Sequence, residues 1–203
     1  MKIILVRHGE SKSNKNKTLA GGVIDSELSE VGKEQIKKIS DRLKCEKIEA
    51  IYSSDMKRTI DTAEEIAKPH KLKVVSDKRL REFNFGDNIE FNFNELLNLR
   101  DNLAKEKNIS TREVKMPGGE SEINHFNRIQ DFLKDVVKKH TNSIVVVAHS
   151  GTNKNIFGVI GYAPIEKMYK IKQFNTCVNE LEFLDKKWTV NKINCIEHLE
   201  NEK

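Results

Sequence analysis

The sequence predicts an α/β fold, a three-layer sandwich in which a mostly parallel sheet carries helices on both faces. Two apolar runs, at residues 3–6 and 143–148, have the length and β-branched content of strands buried on both faces. Segments with the helical spacing of apolar residues alternate with these and other short runs. No linker or internal repeat interrupts the pattern, so we expect a single domain over residues 1–203.

The first half of the chain predicts strands at residues 3–6, 48–52 and 72–75. A loop at 15–24 separates the first strand from a helix for which Ser29 is a suitable N-cap. A second helix is predicted at 57–67, and we expect Pro69 to end it. Along the chain, strands and helices therefore alternate in the order β-α-β-α-β.

The second half opens with a predicted helical excursion away from the sheet, at about residues 89–115. A turn at 117–119 follows, and then the longest predicted helix, at 123–137. The valine-rich strand at 143–148 precedes a short helix at 153–160. Closing strands are predicted at 168–171, 178–184 and 188–196, of which the last two form a hairpin.

The charge of the chain favours a small anionic substrate. Lysine and arginine number 36 against 31 acidic residues, which gives a net charge of +5. The basic residues are scattered and form no block, so we expect no nucleic-acid partner. A modest positive balance suits an anionic metabolite. The sequence is compatible with a monomer and with a dimer.

The cysteines and the apolar runs predict a cytoplasmic protein. Cys45, Cys177 and Cys195 are widely spaced, which argues against a disulfide framework and a zinc site. The apolar run before Arg7 has four residues, too few for the core of a signal peptide. No run approaches the length of a membrane span, so we expect no membrane partner.

Histidines follow two of the predicted strands. His8 comes after Arg7 at the end of the first strand, and His149 ends the strand at 143–148. In an open α/β sheet, ligands bind at the carboxyl ends of the strands. Arg58 lies in the first turn of the predicted helix that follows the second strand, so it could reach the same edge. Arginine binds phosphate oxygens in a planar fork, and an imidazole with one free nitrogen is a competent nucleophile. We therefore hypothesise that His8 accepts a phosphoryl group, with Glu82 as the candidate acid.

Five motifs in this order resemble the histidine phosphatase superfamily, which has the phosphoglycerate-mutase-like fold. The resemblance extends from residue 2 to about residue 179. The motifs are Arg7-His8-Gly9-Glu10 with Asn14, Ser53-Ser54 with Arg58, Glu82 before Phe85-Gly86, Pro117-Gly118-Gly119-Glu120-Ser121, and Ala148-His149-Ser150-Gly151.

The resemblance implies a phosphohistidine on His8 and a phosphate clamp made by Arg7, Arg58 and His149, helped by Asn14. It implies that Glu82 is a general acid and later a base, and that neither a metal nor a cofactor takes part. Residues beside these are expected to contribute to phosphate or substrate binding, namely Gly9, Glu10, Gly21 and Ser150.

Some positions depart from the family pattern, and they affect the wall that faces the substrate. The departures are Ser13, Asn88-Ile89-Glu90 and Ser150. Rivals of Glu82 as the acid are Glu90 and Glu120. Four phenylalanines, Phe83, Phe85, Phe91 and Phe93, fit a substrate wall or lid and equally fit core packing. The other histidines are expected to be solvated or core residues, namely His70, His125, His140 and His198.

The short chain and its Pro-Gly-Gly-Glu-Ser turn resemble the phosphatase branch, which includes broad-specificity and α-ribazole phosphatases. We therefore predict a phosphomonoester hydrolase that acts on a small phosphorylated metabolite. Two alternatives stay open: a phosphoglycerate mutase, and a non-catalytic phosphate-binding module on the same fold.

Overall fold

The computed structural model describes residues 1–16, 18, 21–86 and 93–200. Its strands are β1 (Lys2–Arg7), β2 (Ile48–Ser53), β3 (Val74–Ser76), β4 (Ser143–Ala148), β5 (Val178–Leu184) and β6 (Lys187–Cys195). Its α-helices are α1 (Lys12–Lys15), α2 (Glu30–Leu43), α3 (Lys57–His70), α4 (Phe93–Lys107), α5 (Glu122–Lys139), α6 (Ser150–Val159) and α7 (Ile165–Met168). None of the helices in these ranges combines the length and the apolar character needed to cross a bilayer.

All six strands belong to one sheet, in the order β3-β2-β4-β1-β5-β6. The first four strands in this order are parallel, whereas β5 and β6 pair antiparallel and close the sheet as a hairpin. The predicted mostly parallel sheet is therefore confirmed. The central position of β1 and β4 explains why the sequence makes them the most apolar strands.

Helices cover both faces of the sheet, as predicted. In β1, Ile3 and Leu5 face the apolar core that includes side chains of α5 and α6, while Ile4 and Val6 face the core that includes those of α2 and α3. This alternation follows from the two-residue period of a strand. The result is a three-layer sandwich with one apolar core on each face of the sheet, and β1 and β4 contribute side chains to both cores.

The prediction that Pro69 ends the second helix is wrong, because α3 continues to His70. A proline has no N–H, so the carbonyl of Glu65 loses its helical donor. The hydroxyl of Ser40 in α2 donates to that carbonyl at 2.8 Å. The helix ends instead after His70, where the C-cap Lys71 adopts a left-handed conformation with φ 54°.

The predicted strand at 168–171 is also wrong. Pro164 caps α7, and turns follow the helix where the strand was expected. The fully buried side chain of Met168 reaches Gly158 of α6, where an added Cβ would lie 2.8 Å from the sulfur. Packing against a helix thus takes the apolar residues that suggested a strand. The helix after β4 begins three residues earlier than predicted, at Ser150.

The excursion after the third strand contains α4, and its start at residues 89–92 lies outside the described residues. Phe83 and Phe85 pack against a separate apolar cluster made by Leu96, Ala104, Val114 and Met116. Their rings meet edge to face, with centroids 4.8 Å apart. These two phenylalanines therefore belong to a core, one of the two roles expected for them. Phe91 and the side chain of Phe93 lie outside the described residues.

Candidate active site

His8 and His149 meet at the carboxyl edge of the sheet. Arg7 pairs with Ala148 in the parallel register of β1 and β4, and the next backbone N–H, that of His8, donates to the Ala148 carbonyl. The two imidazoles lie edge to face with centroids 5.2 Å apart, and both are almost fully buried. Neighbouring strands thus join two residues that are 141 positions apart in the sequence (149 − 8).

A hydrogen bond to the backbone selects the tautomer of His8. Its Nδ1 donates to the carbonyl of Gly9 at 2.7 Å, so that Nε2 keeps its lone pair. Burial, followed by the charges of Arg7 and Arg58, lowers the pKa of His8 well below its ordinary value. The imidazole is therefore neutral at physiological pH, the state that a nucleophile requires.

His149 has a different environment, because neither of its ring nitrogens has a hydrogen-bond partner within the described part of the chain. Burial and then the charge of Arg58 lower its pKa well below the ordinary value. Buried polar groups in proteins are almost always paired, so an unpaired imidazole is evidence of a site for a polar ligand. The two nitrogens of His149 are such groups.

Arg58 enters this edge from the first turn of α3. Its guanidinium is buried and donates to the carbonyls of Ile24 and Gly21, each at 3.0 Å, with Asp25 at 3.9 Å. Gly21 therefore contributes a backbone oxygen that holds the arginine, and its φ of +52° suits a glycine. Burial lowers the pKa of Arg58, and the nearby charge of Glu82 opposes this effect.

Arg7 is also held by a backbone carbonyl. Its Nη1 donates to the carbonyl of Gln173 at 2.6 Å, and its buried Nε has no hydrogen-bond partner among the described residues. The Gln173 side chain is itself fixed by Asn153 and Asn179, each at 3.0 Å from its Oε1. Burial lowers the pKa of Arg7, and again the charge of Glu82 opposes this effect.

The carboxylate of Glu82 lies at the first turn of α6. It accepts hydrogen bonds from the backbone N–H groups of Gly151 at 2.8 Å and Thr152 at 3.1 Å, and from that of Phe83 at 3.0 Å. A helix N-terminus favours a negative group at this position. Gly151 leaves room for the carboxylate, because an added Cβ would lie 2.5 Å from Oε1 of Glu82.

Arg128 of α5 holds the loop that carries Glu82. Its guanidinium donates to three backbone carbonyls leading up to Glu82, those of Arg79 (2.6 Å), Arg81 (2.8 Å) and Glu82 itself (3.1 Å). Glu120, a rival of Glu82 as the acid, is engaged by the same guanidinium at 2.7 Å. The other rival, Glu90, lies outside the described residues.

The remaining predicted residues divide between the site and its support. Oδ1 of Asn14 accepts a hydrogen bond from Asn175, which also donates to the carbonyl of His8 at 3.0 Å. Glu10 instead accepts from the hydroxyl of Ser29 at 2.6 Å, which ties it to the start of α2. Ser150 is half-buried and is the first residue of α6, directly after His149.

Gly9 serves close packing between two backbone segments. A Cβ at this position would lie 2.8 Å from Cγ2 of Ile36 and 2.9 Å from the carbonyl oxygen of Gly32. Both contacts belong to α2, so the missing side chain lets this helix approach the end of β1. The structure therefore shows Gly9 making room for a helix, and its expected contribution to phosphate binding stays a prediction.

Sequence reasoning missed four polar residues that support the site, namely His125, Thr152, Gln173 and Asn175. Gln173 and Asn175 lie in the turn before β5, and their neighbours become visible only when β5 pairs with β1. His125 and Thr152 contact each other behind Glu82. Within the described ranges, no three His, Cys, Asp or Glu side chains come together as a metal site.

The chain is similar to known proteins over nearly its whole length. Phosphoglycerate mutase-like protein 4 of Arabidopsis thaliana is 34% identical over 203 residues, covering 98% of this chain and 86% of that protein. Phosphoserine phosphatase 1 of Hydrogenobacter thermophilus is 30% identical over 200 residues, covering 98% and 94%. The crystal structure of the α-ribazole phosphatase of Shigella flexneri shares the fold, with a TM-score of 0.82, 22% identity and 96% coverage of both chains.

The family model for the histidine phosphatase superfamily (branch 1) matches residues 3–196. This range contains all of the motifs that pointed to phosphate chemistry. The chain belongs to the histidine phosphatase superfamily.

Proposed function

We propose that the protein is a metal-independent phosphomonoester hydrolase that acts through a phosphohistidine on His8. The observation that carries the proposal is the pair of buried imidazoles with centroids 5.2 Å apart. One has a fixed tautomer with a free Nε2, and the other has two ring nitrogens without partners. A phosphoryl group between them would receive a nucleophile from one side and hydrogen bonds from the other.

In the first half-reaction, Nε2 of His8 attacks phosphorus in line with the ester oxygen. The P–N bond forms as the P–O bond breaks, and Glu82 gives its proton to the leaving oxygen. Arg7, Arg58 and His149 bind the three equatorial oxygens with help from Asn14. Two guanidinium groups beside the phosphoryl group offset its charge, which is the contribution that metal ions make in other phosphoryl-transfer enzymes.

In the second half-reaction, the carboxylate of Glu82 accepts a proton from water as the water oxygen attacks phosphorus. The P–N bond breaks, and inorganic phosphate leaves a neutral His8 and a protonated Glu82. The hydrogen bonds from the first turn of α6 suit the carboxylate form that this step needs. One residue thus serves as acid and base in turn.

We further propose that the substrate is a small phosphorylated metabolite. The relative named phosphoserine phosphatase 1 supports phosphoserine as the first compound to test. The α-ribazole phosphatase is similar to this chain in fold only, so its substrate is a second compound to test beside phosphoserine. The net charge of +5 suits such anions.

The test measures phosphate release from phosphoserine and p-nitrophenyl phosphate in the presence of a chelator. We expect turnover by the wild type and a loss of about 10³-fold or more in His8→Ala, because the nucleophile is absent. His140→Leu is the matched control, since it replaces a buried histidine elsewhere in the molecule. Equal and negligible turnover by wild type and His8→Ala would support a phosphate-binding module instead.

A trapping experiment tests the intermediate directly. Rapid acid-free quenching of the wild type with ³²P-labelled substrate is expected to give a protein-bound label that is stable to alkali and labile to acid, as a phosphoramidate is. His8→Ala is expected to give no label. Label that persists in His8→Ala would place the phosphoryl group on another residue and overturn the proposed intermediate.

The mutase reaction is a second candidate because one relative is named a phosphoglycerate mutase-like protein. The two reactions share the phosphohistidine and differ in what accepts the phosphoryl group. Incubation with 3-phosphoglycerate separates them: inorganic phosphate supports the hydrolase, and 2-phosphoglycerate supports the mutase.

A further inference from the structure

His125 is a buried histidine with partners on both ring nitrogens. Its Nδ1 lies 2.7 Å from Nδ2 of Asn155, and its Nε2 lies 3.3 Å from Oγ1 of Thr152. An amide N–H can only donate, so Nδ1 is the acceptor and Nε2 carries the proton. Burial, followed by the charge of Arg128, lowers the pKa of His125 well below its ordinary value, which agrees with this neutral tautomer. Nε2 therefore donates to the hydroxyl of Thr152.

Thr152 connects this histidine to Glu82. Its hydroxyl donates to the carbonyl of Arg81 at 2.8 Å, which leaves the oxygen lone pairs to accept from His125. Its backbone N–H donates to Oε1 of Glu82 at 3.1 Å, and its Oγ1 lies 3.4 Å from the same oxygen. One threonine thus holds both the carboxylate and the backbone on which the carboxylate is mounted.

These contacts join two helices next to the loop that carries Glu82. Asn155 and Thr152 belong to α6, whereas His125 belongs to α5, and all three side chains are buried. The ring of Phe83, the residue after Glu82, lies 5.7 Å from the imidazole of His125. An apolar side chain at position 125 would fill the space but could not donate to Thr152.

We infer that His125 is a positioning residue which, through Thr152 and with Asn155, fixes the carboxyl group of Glu82 relative to the leaving oxygen of the substrate. The inference rests on the proposed function, because it assumes that Glu82 protonates the leaving group. A shift of about 1 Å in a catalytic group costs on the order of 100-fold in rate. Loss of the histidine is therefore expected to slow most strongly the hydrolysis of esters whose leaving oxygen must receive a proton from Glu82.

The test compares kcat/KM for phosphoserine, whose alkoxide must be protonated, with kcat/KM for p-nitrophenyl phosphate, whose leaving group departs as a stable phenolate. His125→Leu is expected to lower the first by roughly 10- to 100-fold and the second by about twofold at most. His125→Gln keeps a donor and is expected to recover part of the loss. His140→Leu, at the C-terminal end of the same helix and away from Glu82, is the matched control. It is expected to leave unchanged the ratio of kcat/KM for phosphoserine to kcat/KM for p-nitrophenyl phosphate.

Thr152→Val covers the case in which His125→Leu does not fold, since it keeps the shape and the backbone N–H and removes only the hydroxyl. It is expected to lower the same ratio. An equal loss for both esters in the folded variants, or no loss, overturns the positioning role.

Glu82→Gln separates this outcome from failure of the proposed function. If Glu82→Gln does not favour the aryl ester over phosphoserine, Glu82 is not the acid and the proposed mechanism fails. If Glu82→Gln does so and His125→Leu does not, only the positioning role fails. The double variant Glu82→Gln with His125→Leu is expected to match Glu82→Gln alone, because His125 acts through that carboxyl group.

Discussion

Two buried histidines flank β4, and they differ in their hydrogen bonds. His140 precedes the strand, and its Nδ1 lies 2.7 Å from the Glu49 carboxylate while its Nε2 lies 2.8 Å from the hydroxyl of Tyr52. His149 follows the strand and has no hydrogen-bond partner on either nitrogen within the described ranges. Their side chains are similarly inaccessible, at 6% and 1% exposure. Burial alone therefore does not distinguish a structural histidine from one that binds a ligand.

The difference between the two histidines lies in what surrounds each end of the strand. At His140, an acceptor and a hydroxyl satisfy the ring, so the imidazole contributes to stability. At His149, the charges that act on the ring are those of arginines, the imidazole of His8 lies beside it, and none of these groups accepts a hydrogen bond from the ring. Such a group lowers stability in the free protein and becomes satisfied when an anion binds. The comparison predicts opposite effects of the same substitution at the two positions.

The largest expected effect comes from replacing each histidine with leucine. His149→Leu is expected to lower kcat by about 10²- to 10³-fold, the cost of removing one donor from an anion site, and to leave stability equal or higher. His140→Leu is expected to keep kcat and to lower the free energy of unfolding by about 1–3 kcal/mol, since Glu49 and Tyr52 lose their partner. Steady-state kinetics and urea unfolding measure the two effects. A destabilised His149→Leu with normal kcat would reverse our assignment.

Binding of inorganic phosphate sharpens the comparison next. An anion that binds the folded protein at 100 times its Kd stabilises it by about 2.7 kcal/mol. We expect this increase in the wild type and in His140→Leu, and little or none in His149→Leu. Urea unfolding with and without phosphate measures this increase in the free energy of unfolding. Sodium chloride keeps the ionic strength constant, and sulfate is left out of the buffers. An equal increase in all three proteins would place the anion elsewhere.

The pH dependence of stability gives a smaller effect with a defined sign. Burial lowers the pKa of His8, His125 and His149 well below 6.5, so the unfolded chain takes up protons that the folded chain does not. Their contribution to stability is complete above about pH 6.5 and is lost as the pH falls. Each imidazole contributes a slope of up to about 1.4 kcal/mol per pH unit.

Urea unfolding between pH 7 and pH 5 measures this slope. His149→Leu is expected to show a shallower slope than the wild type by about one proton, because one buried imidazole is gone. An unchanged slope would mean that His149 takes up its proton in the folded protein as readily as in the unfolded chain.

The meeting of the two histidines could be predicted because strand ends are visible in the sequence. The apolar runs before His8 and His149 identify two buried strands, and parallel neighbours bring their carboxyl ends to one edge. The contacts of Arg58 could not be predicted in this way. They are made by backbone carbonyls of Gly21 and Ile24, and carbonyls are present at every position, so no residue type marks them.

Tertiary contacts also explain where the sequence misled us. Pro69 is a strong signal for the end of a helix, but the hydroxyl of Ser40, 29 positions earlier (69 − 40), satisfies the carbonyl that the proline leaves unpaired. His125, by contrast, was expected to be a solvated or core residue and is buried, but its contact with Thr152 of another helix could not be predicted. Polar contacts between distant elements have no periodicity, whereas apolar faces do.

The smallest expected effect tests the partnered histidine alone. In Tyr52→Phe, Nε2 of His140 loses its hydrogen bond to the hydroxyl at 2.8 Å, while Nδ1 keeps its contact with Glu49. One ring nitrogen of His140 then lacks a hydrogen-bond partner, as both ring nitrogens of His149 do. We expect a loss of about 1 kcal/mol in the free energy of unfolding and no change in kcat, measured by urea unfolding and phosphate release. The ring packs edge to face on Phe132, a contact that phenylalanine keeps, so the hydroxyl is the only group removed. If kcat fell instead, the two ends of β4 would be coupled, and the separation between a structural and a ligand-binding histidine on this strand would not hold.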